Sequence, residues 1–357
     1  MTEKKDDDSL LMSMIRHQAY LYRLSSHEVL EILKLFNRES NAMIAQLRDL
    51  LDELSESERT ALAGAQYTTS NLRKIKAILS DWQSNITVLL PDAFVVSAVA
   101  LAVYESNYQA KLLGGKTKES QGEKIFNHAR KKPFSGGILI DQMFSEMAEN
   151  TRRKVEYAIR DGISQGQTNQ QITQRIKGTS KLNYEDGVLN QSRKSVEMLV
   201  RTARSHVSNT AYDETYRALG VKWLKVTATL DSRTCKFCAS VDGNIYSIDD
   251  PGRPIFPVHP HNRTVYVPYN KEDPFIGKRP FVRSPGDAGQ VSADTNYKQW
   301  FDEQSESYQR EWLGKKRYEL YKNGDYTIDK FVDPQKRLYT LKELKALDEE
   351  IFKSLGL

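Results

Sequence analysis

Cysteine is nearly absent from this chain: two residues in 357, three positions apart. That excludes the disulfide framework of a small secreted domain and favours a reducing setting. A signal peptide's order, basic then apolar, is missing as well, since the N-terminus reads Met1-Thr-Glu-Lys-Lys-Asp-Asp-Asp8. Residues 1–8 are expected to form a disordered tail. Long hydrophobic runs are also lacking. The most apolar stretch, Ala93 to Val103, is bounded by Asp92 and Glu105 and is about half the roughly 20 residues a membrane-spanning helix needs. It is expected to be a buried helix, with no membrane as partner. Charge of one sign does not dominate, because 52 Lys and Arg face 47 Asp and Glu, a net charge of +5. That balance allows nonspecific contact with DNA but argues against a dedicated binding stripe.

What is present points to helices. No glycine or proline occurs between Ser9 and Leu54, and apolar residues recur at helical spacing from Leu30 to Leu54. The Ser25-Ser26-His27-Glu28 spacing of a capping box marks a second helix start there. Further helices are expected over Ser70–Ile86, from Pro91 to about Lys111, over Ile138–Arg160, over Thr168–Ile176 and over Gln191–Leu219. Lys111 to Lys132, rich in cations, reads as a solvated loop, and His206 as a helix-surface imidazole. Val221–Thr229 alternates as a strand does, with two short strand candidates at Ile245–Ile248 and Val265–Val267. The fold class is therefore mainly α with a small α+β C-terminal module, a long helix packed on a short antiparallel sheet and C-terminal helices after it.

Both cysteines and two of the six histidines fall between Asp231 and Pro268. The stretch reads Asp231-Ser-Arg233-Thr234-Cys235-Lys-Phe-Cys238, then Asp242-Gly243, and closes as His259-Pro260-His261-Asn262-Arg263-Thr264. Thiolate and imidazole are the ligands that tetrahedral zinc favours, so Cys235, Cys238, His259 and His261 are the candidate metal ligands. A disulfide across Cys-x2-Cys and a packed pair of free thiols are the alternatives. A cysteine and a histidine could also serve as nucleophile and base, or a bound metal could activate water, which keeps a zinc-dependent or thiol hydrolase in view.

This stretch resembles the signature of the phage head morphogenesis (minor head protein) family, the Mu F-like proteins, at Asp231, Arg233, Thr234, Asp242, Gly243, Pro260 and Arg263. In that family the closing motif carries two further cysteines, and Asn262 and Thr264 stand at their positions. The resemblance extends to Gly162-x-x-x-Gly166-x-Thr168 before the signature and to Leu313-Gly314 with its basic and aromatic helix after it. It implies a minor capsid protein of a tailed bacteriophage, not an enzyme, that acts in head assembly, DNA packaging or ejection. Its implied partners are portal, capsid or scaffold proteins, with nonspecific contact to packaged DNA. Its implied place is inside the head near the portal, and the host cytoplasm during assembly. The expected organisation is a helical portal- or capsid-docking region over 9–178, the signature module over 179–268, a linker over 269–296 and a C-terminal helical tail over 297–357. Trp300, Trp312, Tyr318 and Tyr321 are expected in a core or interface rather than as a base-stacking platform.

Overall fold

Helical spacing of apolar residues carries most of this chain into helices, and the computed structural model describes residues 10–116, 121–134, 137–272 and 277–357. The expected disordered tail lies outside the described residues. Three long helices dominate: α1 (Leu10–Asp52), α3 (Ser70–Leu112) and α7 (Val188–Ala218). Shorter ones stand between them, α2 (Glu56–Ala63), α4 (Gly122–Lys131), α5 (Ile140–Ser164) and α6 (Asn169–Lys177). The chain is mainly α, with small sheets confined to its C-terminal half.

Two compact units result: one of Tyr22–Tyr104 and Glu119–Ser208, the other of Met1–Leu21, Glu105–Lys118 and Asn209–Leu357. The expected boundary at residue 178 is thus not where the units divide. The reason lies in α1 and α7. Leu11 and Met14 of α1, in the second unit, are buried with Tyr212 and Tyr216 of α7 against the sheet residues Leu224, Val226 and Val267.

In the first unit the aromatic side chains Phe36 and Trp82 meet edge-on with centroids 6.0 Å apart, and Phe94 packs on Phe126 and Phe144. Helix α1 is unbroken where two helices were expected. Ser25 and Glu28 cap nothing: the Ser25 hydroxyl donates to the Tyr22 carbonyl at 2.6 Å, and the Glu28 carboxylate binds Arg204 of α7 and Ser97 of α3. Helix α3 likewise runs through Pro91, which the sequence reading placed at a helix start. Ile86, Leu90, Phe94 and Leu101 stay in phase and buried, so the burial on both sides outweighs the roughly 3 kcal/mol that an internal proline costs.

The apolar part of α3 is one-sided rather than enclosed. Ala98 and Ala102 are buried while Val96 is 77% exposed, and 39% of its most apolar 18-residue window is buried. By length and composition alone that window is apolar enough to cross a membrane. The expected solvated loop 111–132 is corrected over α4, whose Ile125, Phe126 and Ala129 are buried; residues 117–120 lie outside the described residues. His206 is corrected as well. It is 1% exposed and its Nε2 lies 3.0 Å from the carbonyl oxygens of both Ala129 and Lys132, so it closes the C-terminal end of α4.

The α5–α6 hairpin forms as its sequence predicts. Thr168 caps α6 with Gln171 reciprocating, Gly166 takes φ +67° at the turn, and Gly162 lies where a Cβ would come within 2.7 Å of Ile172.

The second unit holds two sheets. Strands β1 (Trp223–Thr227), β3 (Ile245–Ser247) and β4 (Val265–Tyr269) make an antiparallel sheet in the order β3-β1-β4, with Val226 opposite Tyr266. Strand β2 (Leu230–Asp231) pairs parallel with β5 (Lys278–Ser284), which turns at Gly286 into β6 (Asp287–Ser292). The expected linker over 269–296 is therefore largely a hairpin. It is folded because Phe281 enters the core and Arg279 is almost wholly buried. After it, α9 (Tyr297–Asp302), α10 (Glu306–Leu313), α11 (Lys315–Asn323), α12 (Leu341–Leu347) and α13 (Glu349–Ser354) close around Trp300, Phe301, Trp312, Tyr318 and Phe331. Trp300, Trp312 and Tyr318 are core residues, and Tyr321 is partly buried with its hydroxyl on Asp302.

Candidate metal centre

The site grows from the end of β2. There the Asp231 carboxylate accepts the backbone N–H groups of Arg233 (3.1 Å) and Thr234 (3.0 Å), folding the chain into a tight turn. Arg263 grips the same carboxylate with both guanidinium nitrogens, at 2.6 and 2.8 Å. Burial alone would raise the Asp231 pKa, but the Arg263 hydrogen bonds and charge outweigh it and hold the group below the ordinary carboxylate value. Asp231 therefore ties the first half of the signature to the last.

The turn delivers Cys235 as the N-cap of α8 (Lys236–Val241), where its sulfur accepts the Cys238 backbone N–H at 3.3 Å. His259 Nε2 lies 2.9 Å from the Cys235 sulfur and 3.8 Å from the Cys238 sulfur, and the three ligand atoms fall within 4.8 Å of one another. On the far side of the ring Nδ1 is 2.7 Å from the Pro260 carbonyl, which leaves Nε2 as the nitrogen turned to the sulfurs. Hydrogen bonding from the Cys238 thiol, with His259 beside it, lowers the Cys235 pKa to about 4. Cys238 moves the opposite way, pushed well up by the Cys235 sulfur and by burial, and the Cys235 hydrogen bond raises His259. One thiolate facing an imidazolium is what this arrangement favours on its own.

His261, the fourth expected ligand, is not part of the group. The chain turns back at Pro260, with the Asn262 N–H on the His259 carbonyl at 3.3 Å, and His261 takes φ +58° and faces solvent. Asn262 comes inward in its place. Its side-chain amide donates to the Cys238 sulfur at 3.0 Å, its carbonyl accepts the Thr264 N–H at 3.1 Å, and Thr264 also hydrogen-bonds Cys238. The two residues at the family's later cysteine positions thus surround a cysteine sulfur as hydrogen-bond donors.

Asp242, at the C-terminal end of α8, organises the other flank. It accepts the N–H groups of Ala228 and Tyr297, each at 2.7 Å, and pairs with Arg279 through two hydrogen bonds of 2.9 Å, with both side chains at least 97% buried. Gly243 follows at φ +85°, a left-handed turn that favours glycine. Tyr297 donates to the Asp231 carbonyl at 2.8 Å, and Trp312 Nε1 to the Thr234 carbonyl at 3.1 Å. Sequence reading missed Arg279, Tyr297 and Trp312 as supports of this loop, since each lies tens of residues away in segments read as linker or tail.

Residues 153–266 match the Phage Mu protein F like protein family. The matched segment starts in α5 and runs through α6, α7 and α8 to β4, so it contains the whole Cys–His site and the Asp231–Arg263 clamp. No curated protein and no solved structure matches the chain. Within the matched segment six of the seven signature residues have a structural task, while the Arg233 side chain is largely exposed. Asp231, Thr234 and Arg263 shape the cysteine turn, Asp242 and Gly243 end α8, and Pro260 orients His259.

The donor set fits zinc through Cys235, Cys238 and His259, with Asn262 and Pro260 as the outer partners that orient a sulfur and the ring. Backbone and amide N–H groups aimed at the sulfurs are the environment that a thiolate ligand requires. An ion there would bridge the start of α8 to the closing loop.

Proposed function

We propose that this protein is a minor capsid protein of a tailed bacteriophage head, acting in head assembly, DNA packaging or ejection through contacts with portal, capsid or scaffold proteins. The observation that carries the reading is the match of residues 153–266 to the Mu F-like family, whose signature residues here brace one loop cluster. Binding rather than catalysis is the role the site supports. Its charged groups are spent on one another, and the groove of about 640 Å³ lined by Phe237, Tyr246, Tyr326 and Tyr339 includes neither cysteine nor His259. Co-sedimentation of the purified protein with portal particles and procapsids tests the reading; failure to bind portal, shell and scaffold alike overturns it.

The Cys–His cluster is proposed as a structural zinc site with three protein ligands, Cys235, Cys238 and His259. Protein purified without chelator is expected to carry close to one equivalent of zinc, and Cys235→Ser to lose it. Less than about a tenth of an equivalent rules the metal out. The 2.9 Å approach of Cys235 and His259 also suits a reactive thiol. Iodoacetamide separates the two readings: metal-held sulfurs react only after chelation, whereas rapid alkylation at pH 6 that ignores chelator favours the thiol.

A further inference from the structure

The groove of about 640 Å³ in the second unit is lined by the rings of Phe237, Tyr246, Tyr326 and Tyr339 and by Leu347, which is 65% exposed. Three aspartates line it too, and each has partners: Asp329 pairs with Lys298, Asp333 with Arg337, and Asp348 accepts the Tyr326 hydroxyl and the Ile351 N–H. Lys330 lies over the Tyr326 ring and donates to the Asp325 carbonyl. Lys336 differs from all of these, since among the described residues its ammonium has neither an ion pair nor a hydrogen bond. It stands at φ +70° on a turn fixed by its own N–H on the Asp333 carbonyl (2.9 Å) and by the Arg337 N–H on the Asp333 carboxylate (2.8 Å). A left-handed backbone strains a lysine, and burial holds its pKa below the usual lysine value. The turn thus keeps a partly buried, unpartnered cation in an aromatic groove.

The first unit carries the complementary chemistry on one loop. Between α6 and α7 the chain reads Lys181-Leu182-Asn183-Tyr184-Glu185, with Leu182 57% and Tyr184 38% exposed and, among the described residues, no ion pair on Glu185. Asn183 and Tyr184 are both left-handed, at φ +49° and +61°, and the Tyr184 N–H is 2.9 Å from the Thr179 carbonyl. Asp186 accepts the Thr179 N–H at 2.8 Å. The ends of the loop touch: a Cβ on Gly178 would meet the Tyr184 backbone at 2.7 Å, and one on Gly187 the Gly178 nitrogen at 2.4 Å. Apolar side chains held outward by so braced a loop lose little freedom on binding.

We propose that this loop of one copy docks in the aromatic groove of a second copy, with Leu182 and Tyr184 entering among the rings and Glu185 reaching Lys336. Both surfaces match in kind: the groove has room for two large side chains and holds one cation without a partner, and the loop presents two apolar anchors next to one free carboxylate. The contact joins different faces of the two copies, so successive copies assemble head to tail. It goes beyond the head-protein reading and does not depend on it. Purified protein alone tests it, so it can fail while portal binding succeeds.

Sedimentation velocity of the full chain over about 1–200 µM should show the mean mass rising with concentration, as a small contact between copies predicts. The Leu182→Ala/Tyr184→Ala variant should weaken association by at least about tenfold. Lys336→Gly should weaken it as well while melting no lower than the parent, because glycine relieves the left-handed strain. Mixing these two variants is the sharper test: one keeps an intact groove and the other an intact loop, so together they should form a one-to-one pair that grows no further. Glu185→Lys should weaken association, and Glu185→Lys with Lys336→Glu should restore it. A chain that stays monomeric throughout overturns the proposal and leaves the groove to a different protein. A mixture of the two variants that remains monomeric, or a charge exchange without rescue, overturns the pairing of loop with groove. Association that survives the loop variant but is lost in Val96→Asp overturns it in favour of the exposed face of α3.

Discussion

A single buried carboxylate, Asp242, accepts two backbone N–H groups and a two-pronged Arg279, and its energetic weight lies in what each partner leaves behind when removed. Replacing Arg279 with Met strands a buried negative charge, so a loss of about 3–5 kcal/mol is expected in urea denaturation. The Asp242→Asn/Arg279→Met double variant should lose less than the sum of the two singles, because neither charge is then left alone. His206 carries a different consequence. Burial first, with repulsion from Lys132 and His128 added, lowers its pKa to about 4, against about 6.5 in the unfolded chain. The unfolded chain therefore binds more protons between those values, and stability falls as pH drops from about 6.5 towards 4, by on the order of 2–3 kcal/mol in total. Denaturation at pH 7 and pH 5 checks this. His206→Gln, which cannot take up the proton, should flatten the slope, and an unchanged slope would assign it to other groups. Neither residue announced itself in the sequence. His206 sits in a helix whose periodicity cannot tell a buried imidazole from an exposed one, and Arg279 sits in a stretch rich in Pro, Gly, Ser and Asp.

At the scale of single elements, what was legible followed local chemistry and what was missed followed distant packing. The α5–α6 hairpin could be read because Thr168, Gly166 and Gly178 act on their own neighbours. Strand β1 could be read from alternation, and β3 and β4 as short apolar runs beside turn residues. Helix α1 passing Ser25 and α3 passing Pro91 could not, since the stop signals are local while the residues overriding them, Phe36, Trp82 and Phe94 among others, gain their burial from other helices. Hairpin β5–β6 was hidden for the same reason: its strand partner β2 is two residues long and more than forty positions away. The same division yields a test on α6. Gly162→Ala places a methyl where Ile172 and Gln167 stand within 3 Å, and Ile172 is fully buried, so α6 must shift outward. A cost of about 1–3 kcal/mol is expected, with faster amide exchange confined to α6 and the end of α5. Thr168→Ala should cost about 1 kcal/mol through the lost cap. If Gly162→Ala is as stable as the parent, the close approach of the two helices is not as described.

Each unit of the molecule has its own core, and only one of them contains the Cys–His loops. Phe36, Trp82, Phe94 and Phe144 serve the first unit, while the second has two clusters, one around Trp300 and Phe301 and one beneath the β3-β1-β4 sheet. The sequence told where the candidate ligands were but not which three would meet, because His259 and His261 differ only in the side of a turn on which they fall. A metal held at Cys235, Cys238 and His259 would join α8 to the loop before β4, adding binding free energy to the folded state of that unit alone. Chelation is therefore expected to act unevenly. Amide exchange should rise across 231–268 and, less, in β1 and β4, while the amides around Phe36 and Trp82 keep their protection. The melting profile should separate into two steps, with the lower one moving down as chelator is added. Cys235→Ser should reproduce the chelated profile and respond to chelator no further. A uniform loss of protection through both units would show that they unfold as one. No change anywhere, with zinc shown to be removed, would show that the cluster contributes nothing to folding and that the Asp231–Arg263 and Asp242–Arg279 pairs hold the loops unaided.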